Sequence, residues 1–289
     1  MSRISHLILD FDDTLTTTDT ISLLAKAAYT LRPQSPPWSH FVDAYLADYN
    51  HHALSHPKTS RLTLADEAAY LASLVPVERA SIRRIEAAGV FKGLHITDIA
   101  KAAASTVPLR PGFWDLCRPI LDSGGAVDIL SVNWSRAWIR SSLRNSVALE
   151  ERERFDLGVG IYSNDLVCDP DGIITTGEIS REIVLGGDDG IWTAAHKEKM
   201  MEHLIAKRGG EGHVMYVGDS STDLMCLLKA DVGVVIGDKL DGVCERISVK
   251  LACGLNDYTG VNSGGQLYKV QDFTELGRWV GRRNHCAAR

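Results

Sequence analysis

The 289-residue chain has no close cysteine pairs, no long apolar run and no excess of positive charge, and each absence removes a class of protein. Its six cysteines, at positions 117, 168, 226, 244, 253 and 286, contain no CxxC pair and no compact framework, so neither a zinc ribbon nor a disulfide scaffold organises the fold. No apolar stretch approaches the ~20 residues that span a bilayer. The first apolar run, at residues 7–9, leaves no space before it for a secretory leader. A formal charge of -6 gives no general attraction for nucleic acid or an anionic membrane, so an anionic ligand has to be gripped locally. The expectation is a cytoplasmic protein in a reducing compartment, with neither nucleic acid nor membrane as partner. What is present, 45% hydrophobic and 24% charged residues, is the balance of a folded globular chain, long enough to bury a sizeable core.

Three short apolar runs, at residues 7–9, 126–130 and 214–217, are each followed at once by a polar cluster. Runs of this kind read as parallel strands buried on both faces, with the ligand crevice just beyond their carboxyl ends. Between the first two runs, residues 18–107 show helical periodicity, as at Leu64, Ala68, Leu71 and Leu74, and little strand character. Pro33, Pro36, Pro37 and Pro76 cut that stretch into several short helices. The expected architecture is an α/β core, a doubly wound, Rossmann-like parallel sheet built from residues 1–17 and 109–289. A helical cap of residues 18–108 is inserted into it. Residues 157–163 and 166–174, around Asp169-Pro170-Asp171-Gly172, read as a hairpin.

Chemistry concentrates where the apolar runs end. In Leu9-Asp10-Phe11-Asp12-Asp13-Thr14, a strand terminates in two carboxylates two positions apart, so alternation projects Asp10 and Asp12 from one side. Carboxylates so close at a strand end repel unless a proton or cation shares the site, which points to a divalent metal. In Val217-Gly218-Asp219-Ser220-Ser221-Thr222-Asp223, a second strand gives two aspartates four residues apart, on one face of a helical turn. Mg²⁺ keeps several waters and needs few protein carboxylates, so Asp10 and Asp219, with or without Asp223, suffice. Ser131-Val132-Asn133 follows the middle run, where a hydroxyl and backbone N–H groups can hold a phosphoryl oxygen; a plain helix cap is the bland alternative. Asp19 reads equally as a substrate contact or as the start of the first cap helix. Trp38, Trp134 and Trp192 read as packing residues.

These motifs, in this order, resemble the haloacid dehalogenase superfamily of phosphohydrolases. The resemblance rests on Asp10-x-Asp12-x-Thr14, Ser131 at a strand end, a lysine opening the helix before the last motif, and Gly218-Asp219-x-x-x-Asp223. Lys197 is the expected lysine, since Met200, Met201, Leu204 and Ile205 follow it at helical spacing, with Lys199 as the alternative. The cap-sized helical insertion and the runs Leu109-Arg110-Pro111-Gly112 and Ile161-Tyr162-Ser163-Asn164-Asp165 look like the subgroup that contains phosphoserine phosphatase. The resemblance implies a Mg²⁺-dependent phosphatase acting on a small phosphorylated metabolite through an aspartyl-phosphate on Asp10. Mg²⁺ would be held by Asp10, the backbone carbonyl of Asp12 and Asp219, with Asp223 in support; Asp12 would be the general acid and base, oriented by Thr14, with Ser131 and Lys197 on the phosphoryl oxygens. A phosphomutase and a catalytically inactive binding scaffold are the rival readings. Phosphoserine, a sugar-like phosphate and a vitamin monophosphate all suit a capped site.

Overall fold

The computed structural model describes residues 3–180, 190–209, 212–255, 258 and 265–287, the side chains of 285–287 excepted. Strand β1 (Ile4–Leu9) is buried along its whole length, as a strand covered on both faces must be. The chain then forms five helices: α1 (Ile21–Leu31), α2 (Trp38–Leu54), α3 (Leu64–Ser73), α4 (Val75–Ala87) and α5 (Ile96–Thr106). It continues through α6 (Phe113–Asp122), β2 (Ala126–Leu130), α7 (Arg136–Asn145), α8 (Arg152–Gly158), β3 (Val159–Tyr162), β4 (Asp165–Cys168) and β5 (Thr175–Ser180). The last part runs α9 (Ala194–Arg208), β6 (His213–Gly218), α10 (Leu224–Lys229), β7 (Val232–Ile236), α11 (Asp241–Arg246), β8 (Leu251–Cys253), β9 (Leu267–Val270) and α12 (Phe273–Ala287).

Among the described residues the main sheet has seven strands in the order β3-β2-β1-β6-β7-β9-β8, all paired in parallel. This is the doubly wound α/β core expected from the alternating pattern. Its strand order reverses at β1, which has β2 on one side and β6 on the other. A crevice opens at such a switch point, beyond the carboxyl ends of the strands. The Asp10 N–H donates to the Val217 carbonyl at 2.9 Å, so the ladder carries that residue to the lip of the crevice.

The helices α1–α5 leave and rejoin the sheet through one paired neck. Thr16 and Leu109 form an antiparallel bridge; Thr17 N–H donates to the Pro108 carbonyl at 2.9 Å and Arg110 N–H to the Leu15 carbonyl at 2.8 Å. Gly112 ends the return with φ +89°, and a Cβ there would stand 3.2 Å from both the Phe273 Cβ and the Thr274 nitrogen, so glycine alone fits without strain. Within the helical stretch, Thr63 and Asp66 form a reciprocal capping box at the start of α3. Pro76 lies in the first turn of α4, where a missing N–H costs nothing.

The sequence reading of a hairpin at 157–163 and 166–174 needs correction. Val159–Tyr162 joins the main sheet beside β2, while the hairpin pairs β4 with β5. Its turn is fastened by Asp169 and by Gly172 at φ +71°, with Asp169 Oδ1 accepting from Ile173 N–H at 2.8 Å. The alternating burial of β3 pays only when its inward side chains face the core, which decides the partner. The hairpin instead reaches the helical stretch, where Gly93 N–H donates to the Thr175 carbonyl at 2.7 Å.

Candidate active site

Asp10 stands at the end of β1 and is almost wholly buried. Asp219 and Asp223 follow β6, and the three carboxylates approach one another within 4.8 Å. Gly218 makes this approach possible, because a Cβ there would meet the Asp223 Cγ at 2.5 Å. Lys197 reaches the cluster from α9, whose buried stripe of Lys197, Met200, Met201 and Leu204 follows the i, i+3, i+4, i+7 period of one helix face. Its ammonium is fully buried and donates to Asp10 Oδ1 at 2.6 Å and to Asp223 Oδ1 at 2.7 Å. Burial alone would push the Lys197 ammonium down, but the charges of Asp10 and Asp223 outweigh it and hold it above the usual lysine value. Lys199 is exposed, so of the two candidate lysines only Lys197 meets the carboxylates.

Asp223 is held from several directions: by Lys197, by the Tyr216 hydroxyl at 2.8 Å, and by the backbone N–H groups of Asp219 and Ser220, both at 3.2 Å. Asp219 accepts from Thr14 Oγ1 at 3.0 Å through Oδ1. Its buried Oδ2 is paired with the half-exposed Lys239 ammonium, 2.8 Å away. Burial, then the Asp223 charge, raises the carboxyl of Asp10 well above the usual range. The same two causes raise Asp219. Three clustered carboxylates, facing one fully buried ammonium and a half-exposed second one that Asp219 shares with Asp13, are short of positive charge. An all-oxygen, anionic donor set of this kind fits a hard divalent cation such as Mg²⁺. Asp10 and Asp219, each with fewer partners, would hold it, whereas the oxygens of Asp223 are occupied by the lysine, the tyrosine and the backbone.

Asp12 lies on the other side of the crevice lip and is half-buried. Oδ1 accepts from Thr20 N–H at 2.8 Å and Thr20 Oγ1 at 2.6 Å, and Oδ2 accepts from Asn133 Nδ2 at 2.9 Å. Burial, then the charge of Asp19, lifts its carboxyl to about 6 despite these bonds. Thr20 Oγ1 also accepts from Trp138 Nε1 and from Asn133 Nδ2, both at 3.1 Å. Two expectations are corrected here. Thr14 does not orient Asp12: the left-handed backbone at Asp13, φ +58°, turns the chain so that Thr14 meets Asp219, and Thr20 takes the orienting role. Asn133 does not offer its groups to a phosphoryl oxygen: its amide goes to Asp12 and its backbone N–H to Ser131 Oγ at 3.1 Å. Ser131 is fully buried at the end of β2 and, having accepted from Asn133, keeps its own hydroxyl hydrogen for another acceptor. Val132 gives its carbonyl to Asn164 Nδ2 at 3.0 Å. Asp19 accepts from Ile21 N–H at 2.8 Å and so starts α1, while also lining the cavity under the helices.

Sequence reasoning missed Thr20, Trp138, Tyr216 and Lys239. Tyr216 carried a signal, standing two positions before Gly218 in the apolar run 214–217 with its hydroxyl needing a buried partner. The others become neighbours only through the fold.

No family model matches the chain. Over 239 residues it is 30% identical to a CTO1 family protein of Schizosaccharomyces pombe, covering 79% of this chain and 80% of that one. Over 263 residues it is 26% identical to Cold tolerance protein 1 of Saccharomyces cerevisiae, covering 80% of this chain and 77% of that one. Among solved structures, a cytosolic 5'-nucleotidase IIIB bound to cytidine superposes with a TM-score of 0.57 at 14% identity, over 98% of this chain and 87% of that one. A phospho-aspartyl intermediate analogue of phosphoserine phosphatase gives 0.53 at 15% identity, over 96% and 99%. A HAD family hydrolase of Salmonella enterica gives 0.51 at 18% identity, over 85% and 66%. The fold is therefore that of the haloacid dehalogenase phosphatases. Among the described residues no helix is long and apolar enough to cross a membrane.

Proposed function

The chain belongs to the CTO1 family, and from that premise and the geometry of its crevice we propose that it is a Mg²⁺-dependent phosphatase of a small-molecule phosphate monoester, working through an aspartyl-phosphate on Asp10. The observation that carries this reading is the buried Lys197 ammonium joining Asp10 to Asp223, with Asp12 held separately by Thr20 and Asn133. Two carboxylates two residues apart thus have different surroundings, which is how a nucleophile and an acid are kept distinct.

Asp10 and Asp219, with the backbone carbonyl of Asp12, would hold the cation, and Asp223 would support it through Lys197 and the backbone. Bound there, Mg²⁺ would supply the charge that lets a carboxylate approach a phosphate dianion. Lys197 fixes Asp10 through Oδ1 and presents its positive charge to the phosphoryl group. A carboxylate oxygen of Asp10 forms a bond to phosphorus as the ester P–O bond breaks, and the departing oxygen takes the proton of Asp12. A water then attacks phosphorus, giving its proton to Asp12; the bond to Asp10 breaks, and inorganic phosphate leaves with both aspartates restored. A carboxyl near 6 suits Asp12 to both transfers, since a proton must be given and retaken near neutral pH. The Ser131 hydroxyl donates to a phosphoryl oxygen, a directional complement to the lysine.

The test is phosphate release from a panel of small esters with Mg²⁺ and with chelator, comparing the wild type with Asp10→Asn. Release that needs both Mg²⁺ and Asp10 is the expected result. Release that survives Asp10→Asn would contradict the covalent route.

A further inference from the structure

Between the helical cap and the crevice lies a cavity of about 370 Å³, within the usual size for a small-molecule site. Its floor is formed by Val132, Trp134 and Thr222, the chain neighbours of Ser131, Asn133 and Asp223, so a group placed in it sits beside the reacting centre. From α2, Trp38, Phe41 and Tyr45 project into it from one helix face, and Trp192 closes another wall. Trp38 and Trp134 meet edge to face with ring centroids 6.4 Å apart, and the Trp38 indole N–H is already bonded to Ser22 Oγ at 3.2 Å, so the tryptophan offers an apolar face.

The charges on this wall have one sign. Asp19 and Glu78 line the cavity, and among the described lining residues there is no lysine or arginine. Tyr45 donates to one oxygen of Glu78 at 2.9 Å, which leaves the other for a donor on a ligand. A substrate with a carboxylate in its leaving group would place that charge against aromatic rings and two carboxylates, with no cation among the described lining residues to meet it. A flat ring has walls to stack on, and a positive nitrogen on it has both aromatic faces and acidic partners.

Resting on the phosphatase reading above, we propose that the leaving group is a flat aromatic or heteroaromatic alcohol bearing a cationic or N–H-donating nitrogen, stacked on Trp38 with Trp134 beside its edge, and read by Glu78 and Asp19. The amino-acid alcohol released from phosphoserine does not fit this wall. Burial lifts the Glu78 carboxyl to about 7, and a cation facing it brings the carboxyl back toward the ionised form.

Five probes separate the possibilities with Mg²⁺ present: benzyl phosphate, its 4-aminomethyl and 4-carboxy derivatives, phosphoserine and glycerol 3-phosphate. The expected kcat/KM places the aminomethyl ester first and benzyl second, with the carboxy ester about tenfold below benzyl and the two aliphatic esters about 100-fold below. Glu78→Gln should bring the aminomethyl-to-benzyl ratio toward one, and Trp38→Ala should raise KM for both. Carboxybenzyl phosphate or phosphoserine turning over as well as benzyl phosphate overturns the inference while leaving the phosphatase reading intact. An unchanged ratio in Glu78→Gln removes that residue from the recognition. If no probe releases phosphate, the phosphatase reading itself fails and the inference falls with it.

Discussion

Replacing Lys197 by methionine puts the largest strain on the electrostatic design. The side chain is fully buried, donates two charge-assisted hydrogen bonds at 2.6 and 2.7 Å, and is, among the described residues, the one fully buried cation facing the three carboxylates. Methionine fills similar volume, so little of the loss comes from a cavity. What remains is a group of buried carboxylates without their partner, and breaking a buried pair in this way costs about 3–5 kcal/mol. Against a net stability of about 5–15 kcal/mol for a typical domain, such a loss is easily measured. Urea unfolding followed by tryptophan fluorescence in chelator, at pH 7.5 and pH 5, is the assay. With the lysine gone, the carboxyls of Asp10 and Asp219, already raised by burial and by Asp223, rise further, and a raised acid loses stability as pH climbs through its folded value. The deficit of the variant is therefore larger at pH 7.5 than at pH 5. A deficit below about 1 kcal/mol at pH 7.5, the size of an exposed pair, would refute the reasoning, as would a larger deficit at pH 5.

Thr20→Val removes the hydroxyl that donates to Asp12 and accepts from Trp138 and Asn133; kcat is expected to fall about tenfold, equivalent to about 1.4 kcal/mol, with Thr20→Ser recovering most of it. Steady-state kinetics on both variants checks this, and an equal fall in the serine variant would show that the hydroxyl is not responsible. Glu78 is raised from 4.5 to about 7, so its contribution to stability is present below pH 4.5 and is lost as pH rises through 7. Glu78→Gln should accordingly be more stable than the wild type at pH 8, by at most about 3 kcal/mol, and the advantage should vanish near pH 4.5; thermal melts across that range decide it.

Apolar runs that end in polar clusters made the core legible, because a strand buried on both faces has little other composition open to it. Asp10, Asp219 and Asp223 were readable for the same reason: the strand ends fix where their side chains emerge. Lys197 was readable only from its order among the other motifs, since a lone lysine at a helix start is usually solvated; the apolar period of α9 then favoured it over Lys199. Thr14 was misread because one left-handed residue, Asp13, redirects it to Asp219, a contact across 205 positions. Thr20 and Trp138 escaped notice because a threonine at a helix start and a tryptophan inside a helix each look ordinary until the fold sets Thr20 on Asp12 and Trp138 on Thr20. The tryptophans at 38, 134 and 192 were each read as packing residues, and singly that is fair, since 134 and 192 are buried. Only the fold brings all three to one cavity wall. From the sequence, β3 reads as the hairpin partner of β4 in place of β5 because four-residue runs carry too little pattern to name their neighbours.

The central claim is the covalent bond to Asp10, and rapid quenching of the protein in acid during turnover, followed by peptide mass spectrometry, tests it most directly. The account expects one added phosphoryl group on the peptide that contains Asp10, present in the wild type with Mg²⁺ and missing in Asp10→Asn. Full turnover with no such adduct at any quench time, or an adduct that persists in Asp10→Asn, would contradict it.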